Sequence, residues 1–125
     1  MNKYSHWILL IALGCPCWGD FHTVAAQSKA VDVDALLVPD RENIVCFYSS
    51  SNAICRALYP ELQKLGAGPK VDVHLVDVAT VKSPTARKYS ITTVPYFKIY
   101  DKKGELSQEG PAAYREVTGR IQKQR

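Results

Sequence analysis

Ile44-Val45-Cys46-Phe47-Tyr48-Ser49-Ser50-Ser51-Asn52-Ala53-Ile54-Cys55-Arg56-Ala57-Leu58-Tyr59-Pro60 is the stretch on which the fold turns. Its first five residues are an unbroken apolar run of strand length, rich in β-forming side chains, which predicts a buried strand. Ser49 to Asn52 follows as a loop ending in residues that cap helices well. Ile54, Leu58, Leu62 and Leu65 then recur at helical spacing, with Pro60 inside the helix, where a kink is expected. Gly66-Ala67-Gly68-Pro69 closes that helix.

Working outward, Val31 to Val38 predicts a short helix closed by Pro39-Asp40. Val71 to Val78 alternates as Val-Asp-Val-His-Leu-Val-Asp-Val and predicts a second strand. Ser83-Pro84 pairs an N-cap with proline at the first helical position and opens a helix to about Tyr89. Val94 to Tyr100 predicts a third strand, Asp101-Lys102-Lys103-Gly104 a hairpin turn, and Glu105 to Glu109 a fourth strand. From Pro111 a last helix carries Ala113, Val117 and Ile121 on one face. The fold class is therefore α/β: a central mixed sheet of about four strands, parallel first and ending in an antiparallel hairpin, with helices on both faces. There is no internal repeat and no low-complexity linker.

The whole chain has 125 residues, net charge +4, 46% hydrophobic and 22% charged residues, which fits one packed domain and excludes a wholly disordered or collagen-like chain. The N-terminus reads differently from the rest. Lys3 precedes the apolar run Ile8-Leu9-Leu10-Ile11-Ala12-Leu13, and Val24-Ala25-Ala26 supplies short side chains before Gln27. This predicts a signal peptide over residues 1–26, cut after Ala26, and a domain over 27–125. The apolar run is well short of the ~20 residues that span a bilayer, so no membrane span is expected. Leu13-Gly14-Cys15 loosely resembles a lipoprotein signal and makes a lipid anchor at Cys15 the competing reading. Export places the protein in a periplasm or in an extracellular or secretory-lumen space. Cys15 and Cys17 fall in the leader, leaving Cys46 and Cys55 in the domain. Two cysteines cannot form a four-thiolate zinc site or a multi-bridge framework.

The residues from about Val31 onward resemble the thioredoxin family. The resemblance rests on Val45-Cys46-Phe47-Tyr48, Cys55-Arg56-Ala57-Leu58-Tyr59-Pro60, Asp77-Val78, Lys88-Tyr89-Ser90-Ile91-Thr92-Thr93-Val94-Pro95 and Lys103-Gly104-Glu105. It implies a thioredoxin-like fold in which Cys55 and Pro60 keep the spacing of the family's second cysteine and helix proline, and Pro95 takes the place of its cis-proline. Two departures stand out. Asn52-Ala53-Ile54-Cys55 replaces Cys-x-x-Cys, so Asn52 occupies the nucleophile position, and Cys46 stands where the family usually has a buried Asp. Dithiol exchange needs one thiolate to attack and a second thiol to resolve the mixed disulfide, and a carboxamide cannot do the first. Little or no dithiol-disulfide reductase activity is expected.

Three readings of Cys46 and Cys55 stay open: buried thiols packed as small hydrophobes, a strand-to-helix disulfide, or a one-cysteine activity at Cys55. By resemblance, Ser51, Asn52, Thr93, Val94 and Pro95 surround a groove where an extended peptide pairs with backbone at a sheet edge, a mode that needs no nucleophile. The implied function is peptide or protein binding at the cis-proline face; the alternative is a thiol-disulfide oxidoreductase or redox-homeostasis protein working through Cys55, with or without Cys46. No cofactor and no metal are expected. His74 reads as a solvent-facing or partly packed strand residue, and Asp72, His74 and Asp77 lack metal-ligand spacing. Lys102-Lys103 and Lys123-Gln124-Arg125 read as solvated surface, so no nucleic-acid partner is expected, and the protein is expected to be a monomer.

Overall fold

The computed structural model describes residues 19–125, and the leader expectations for residues 1–18 lie outside them. Among the described residues the chain forms β1 (Phe21–Val24), a 3-10 turn (Val33–Ala35), β2 (Glu42–Tyr48), α1 (Ala53–Ala67), β3 (Val71–Asp77), α2 (Pro84–Lys88), β4 (Tyr96–Tyr100), β5 (Leu106–Glu109) and α3 (Pro111–Lys123). The strands build one sheet in the order β1-β3-β2-β4-β5. β3 lies parallel to both β1 and β2, whereas β4 runs antiparallel to β2 and to β5. A parallel crossover needs a helix to return the chain, and α1 supplies it between β2 and β3.

The sheet has five strands rather than about four, because Phe21–Val24, inside the stretch read as leader, is its edge strand. The folded unit thus begins ahead of Gln27. The spacing also overreaches at Val31–Val38, where only Val33–Ala35 turns, as a 3-10 helix. Three valines there are stiff at χ1 and disfavour helix. In addition, the backbone N–H groups of Val31 and Val33 donate to Thr85 Oγ1 (3.0 Å) and Tyr89 OH (2.8 Å) instead of to a helical ladder.

Side-chain alternation divides the core. Ile44, Cys46, Val71, Val73, Leu75, Phe97 and Ile99 face α1 and α3, where they meet Leu62, Ala113, Val117 and Ile121. Val45, Phe47, Val76, Val78 and Tyr100 face the other way, onto Val31, Val33, Ala86 and Ile91. β3 is buried on both faces from Val71 through Val76, polar residues included. Leu62 is 1% exposed in the first of these clusters. Leu62→Ala should cost about 2–5 kcal/mol by removing apolar contacts and leaving a cavity. A urea unfolding midpoint that does not fall would contradict this packing.

Candidate functional site

β2 delivers the chain into the loop at the head of α1, and the loop is tied down at each step. Ser49, itself buried, bonds the Ala79 carbonyl through Oγ at 2.9 Å and lies 2.9 Å from Ser51 Oγ. The Asn52 N–H donates to the Ser49 carbonyl at 3.0 Å. Asn52 then caps α1: its side-chain oxygen accepts from the Cys55 N–H at 3.0 Å, and its carbonyl accepts from the Arg56 N–H, also at 3.0 Å. Its acceptor oxygen is thereby committed to the helix start. Ile54, one residue before Cys55, is 54% exposed and is the most exposed large apolar side chain among the described residues.

Cys46 and Cys55 are free thiols, both buried. Burial pushes the Cys46 thiol well above its usual range, and the neighbouring Cys55 adds to this. Burial also raises Cys55, opposed by a hydrogen bond from the Ser49 backbone. A thiol is nucleophilic only as thiolate, so both side chains are poor nucleophiles near neutral pH. The helix N-terminus that could lower a thiol's pKa presents Asn52 as its cap instead.

The Val94–Pro95 peptide bond is cis. Thr93 and Pro95 line a cleft of about 320 Å³ with Tyr96, Gly110, Pro111, Tyr114 and Arg115. Cys55 lines a different cleft, of about 370 Å³, with Tyr48, Ser50, Arg56, Tyr59 and Pro60. Ser51, Asn52 and Val94 line neither. Of the five expected groove residues, Thr93 and Pro95 thus share one cleft. Sequence spacing gives no hint of the wall formed by Gly110, Pro111 and Tyr114, because this start of α3 is placed by the way the β4–β5 hairpin folds back. The Gly110 N–H returns to the Phe97 carbonyl at 3.0 Å, and that brings the head of α3 beside Pro95.

A second polar cluster sits on the opposite face of the sheet, and His74 is its centre. His74 is 2% exposed, not solvent-facing. Its Nε2 lies 2.8 Å from Asn43 Oδ1. The Asn43 amide nitrogen donates to the carbonyls of Val38 (3.1 Å) and Arg41 (2.8 Å), so its oxygen is the acceptor and His74 Nε2 carries a proton. His22 stacks on His74 with ring centroids 4.6 Å apart, and its Nε2 lies 3.0 Å from Asp72 Oδ2. Arg41 Nε donates to the other Asp72 oxygen. Period-two alternation hid this cluster, because a strand covered on both sides buries its polar residues as well. No group of three His, Cys, Asp or Glu among the described residues is placed to hold a metal ion, and no described helix is long and apolar enough to cross a membrane.

The fold, with its helix capped where β2 ends and a cis-proline ahead of β4, is that of the thioredoxins. The thioredoxin family model matches residues 23–123, and the chain belongs to that family. Thioredoxin f from spinach chloroplast, short form, is 22% identical, with a TM-score of 0.60 over 85% of this chain and 94% of that one. A mutant thioredoxin from Halobacterium salinarum NRC-1 is 21% identical, with a TM-score of 0.56 over 72% and 75%. Mitochondrial thioredoxin 3 of Saccharomyces cerevisiae is 24% identical, with a TM-score of 0.55 over 77% and 92%. No curated protein matches the chain.

Burial and the neighbouring His22 lower His74 to about 4, from an ordinary value of 6.5. The unfolded chain therefore takes up this proton first, and stability should fall as pH drops from 6.5 towards about 4. His74→Gln keeps a donor for Asn43 and should flatten that part of the curve. Equal slopes for the two proteins in urea titrations would show that His74 is not the group responsible. Iodoacetamide at neutral pH should alkylate Cys46 and Cys55 slowly in the native protein and rapidly in denaturant, read by peptide mass; rapid native labelling of Cys55 would contradict its burial.

Proposed function

We propose that this thioredoxin-family protein is exported and binds an extended peptide or protein segment at its cis-proline face without efficient dithiol-disulfide exchange. The observation carrying this reading is Asn52, a carboxamide whose oxygen is hydrogen-bonded to the Cys55 N–H at 3.0 Å. It sits where the family's attacking cysteine would be. Exchange needs that thiolate, and the remaining thiol, Cys55, is buried and raised in pKa. Binding makes neither demand.

Two further features support it. Ile54 offers exposed apolar surface beside the cap, and the cleft at Thr93, Pro95, Pro111 and Tyr114 offers a wall for side chains of a bound segment. In β-augmentation the peptide backbone supplies most of the affinity, and pockets for alternate side chains supply selectivity.

The test is an insulin-reduction assay beside a peptide-array binding measurement. Wild type should show no turnover above that of Cys55→Ser, and Tyr114→Ala and Ile54→Asp should weaken capture of selected peptides by at least about fivefold, which is about 1 kcal/mol. Robust reduction by wild type that disappears in Cys55→Ser would falsify the binding-only reading and leave the redox alternative. Asn52→Cys should create measurable reductase activity, kept low because Cys46 offers no carboxylate as proton acceptor. A complete absence of gain would mean that Asn52 is not at the nucleophile position.

A further inference from the structure

We infer that residues Gly19 to Val24 are a retained part of the working protein, so that the export leader of the proposal above ends before Gly19 and not at Ala26. β1 pairs with β3 along its whole length, Phe21 to Val73 through Val24 to Val76. Ahead of the strand, the Gly19 N–H donates to the Gly68 carbonyl at 2.9 Å, and the Val73 N–H donates to the Asp20 carbonyl at 2.9 Å. Phe21 packs on the first core cluster and meets Tyr59 edge-on, with ring centroids 5.5 Å apart.

Two glycines are shaped to this path. A methyl group at Gly19 would be driven into the Val71 carbonyl. One at Gly66 would lie 2.9 Å from the Asp20 carbonyl oxygen and 3.0 Å from Phe21 Cβ. Such a close approach of α1 to the segment before β1 is possible only where a side chain is missing. A discarded leader has no reason to be fitted in this way.

The domain also needs what β1 covers. A chain starting at Gln27 would leave β3, buried from Val71 through Val76, as an open edge. Unpaired apolar edges pair with other chains. Asp72, whose side chain is 5% exposed, would lose His22 and keep Arg41 alone, while His74 would lose the ring stacked on it. The family match, beginning at residue 23, also starts before Gln27.

The leader then has a shorter reading. Ala12-Leu13-Gly14 places small residues three and one before a cut after Gly14, directly at the end of the apolar run. Hydrolysis there adds the elements of water across the Gly14–Cys15 bond, leaving a carboxylate on the leader and an amine on Cys15. All of β1 stays with the domain.

The inference rests on the export reading, and the two can fail separately. The full chain is produced in a secreting host, and the exported and retained fractions are weighed intact. An N-terminus anywhere from Cys15 to Gly19 supports the inference, as does the same product carrying the extra mass of a lipid on Cys15. An uncut chain found only inside the cell defeats the export reading while leaving β1 retained. An N-terminus at Gln27, or anywhere past Gly19, overturns the inference. As an independent check, Gly19→Val in the full chain should lower the thermal midpoint by several degrees, and an unchanged midpoint would show that the segment is not docked.

Discussion

The parallel pairing of β3 with two neighbours is the constraint from which the rest of this structure follows. β2 fixes its side-chain alternation over seven residue pairs, from Glu42 with Val71 to Tyr48 with Asp77. Ile44 and Cys46 therefore share a face with Val73 and Leu75, and Val45 and Phe47 share the other with His74 and Val76. A slip of one residue would exchange the two faces. Because β2 is held in this register, its end is held too, and with it the loop that starts α1.

What occupies the loop decides the chemistry. A helix start carries unsatisfied N–H groups and a partial positive charge, which in a catalytic thioredoxin can favour a thiolate. Here the same groups meet the Asn52 oxygen, a neutral acceptor that satisfies the Cys55 N–H. An Asn cap contributes typically ~1 kcal/mol relative to alanine. The Asn52 side chain serves the helix start.

Most of the fold was legible in the sequence because its elements obey local rules. The apolar run Ile44–Tyr48, the four-residue spacing of Ile54, Leu58 and Leu62, and the Ser83-Pro84 helix start each carry their own signal and correspond to β2, α1 and α2. The exceptions are set by tertiary context. Phe21–Val24 is a four-residue strand with no hairpin partner in sequence, and it sits beside an alanine pair that satisfies a peptidase pattern equally well. His74 looks like the polar member of an alternating strand, yet β1 and the segment before β2 close over it. Asn43 gives it a partner 31 positions away, which periodicity cannot reveal. At the candidate site, Asn52 was legible as a helix cap from its residue type and its place before the helical spacing begins. The cleft wall from Gly110 to Tyr114 depends on how a hairpin folds back.

Three polar residues of β2 and β3 show how this domain treats burial. Asn43, Asp72 and His74 are buried, and each has explicit partners: Asn43 bonds Val38, Arg41 and His74, while Asp72 bonds Arg41 and His22. A buried charge without such partners would cost several kcal/mol. Cys46 lies on the opposite face, in the apolar cluster with Ile44, Leu62, Leu75 and Phe97. A buried Asp there would be maintained at the expense of stability and would be useful only for moving a proton to or from a reacting thiol. Cys46, by contrast, behaves as a small apolar side chain, needing no partner and keeping its proton because burial raises its pKa. Asn52 and Cys46 therefore meet the same physical demand: each suits its surroundings without a buried charge, the carboxamide by capping α1 and the thiol by packing as a small apolar group.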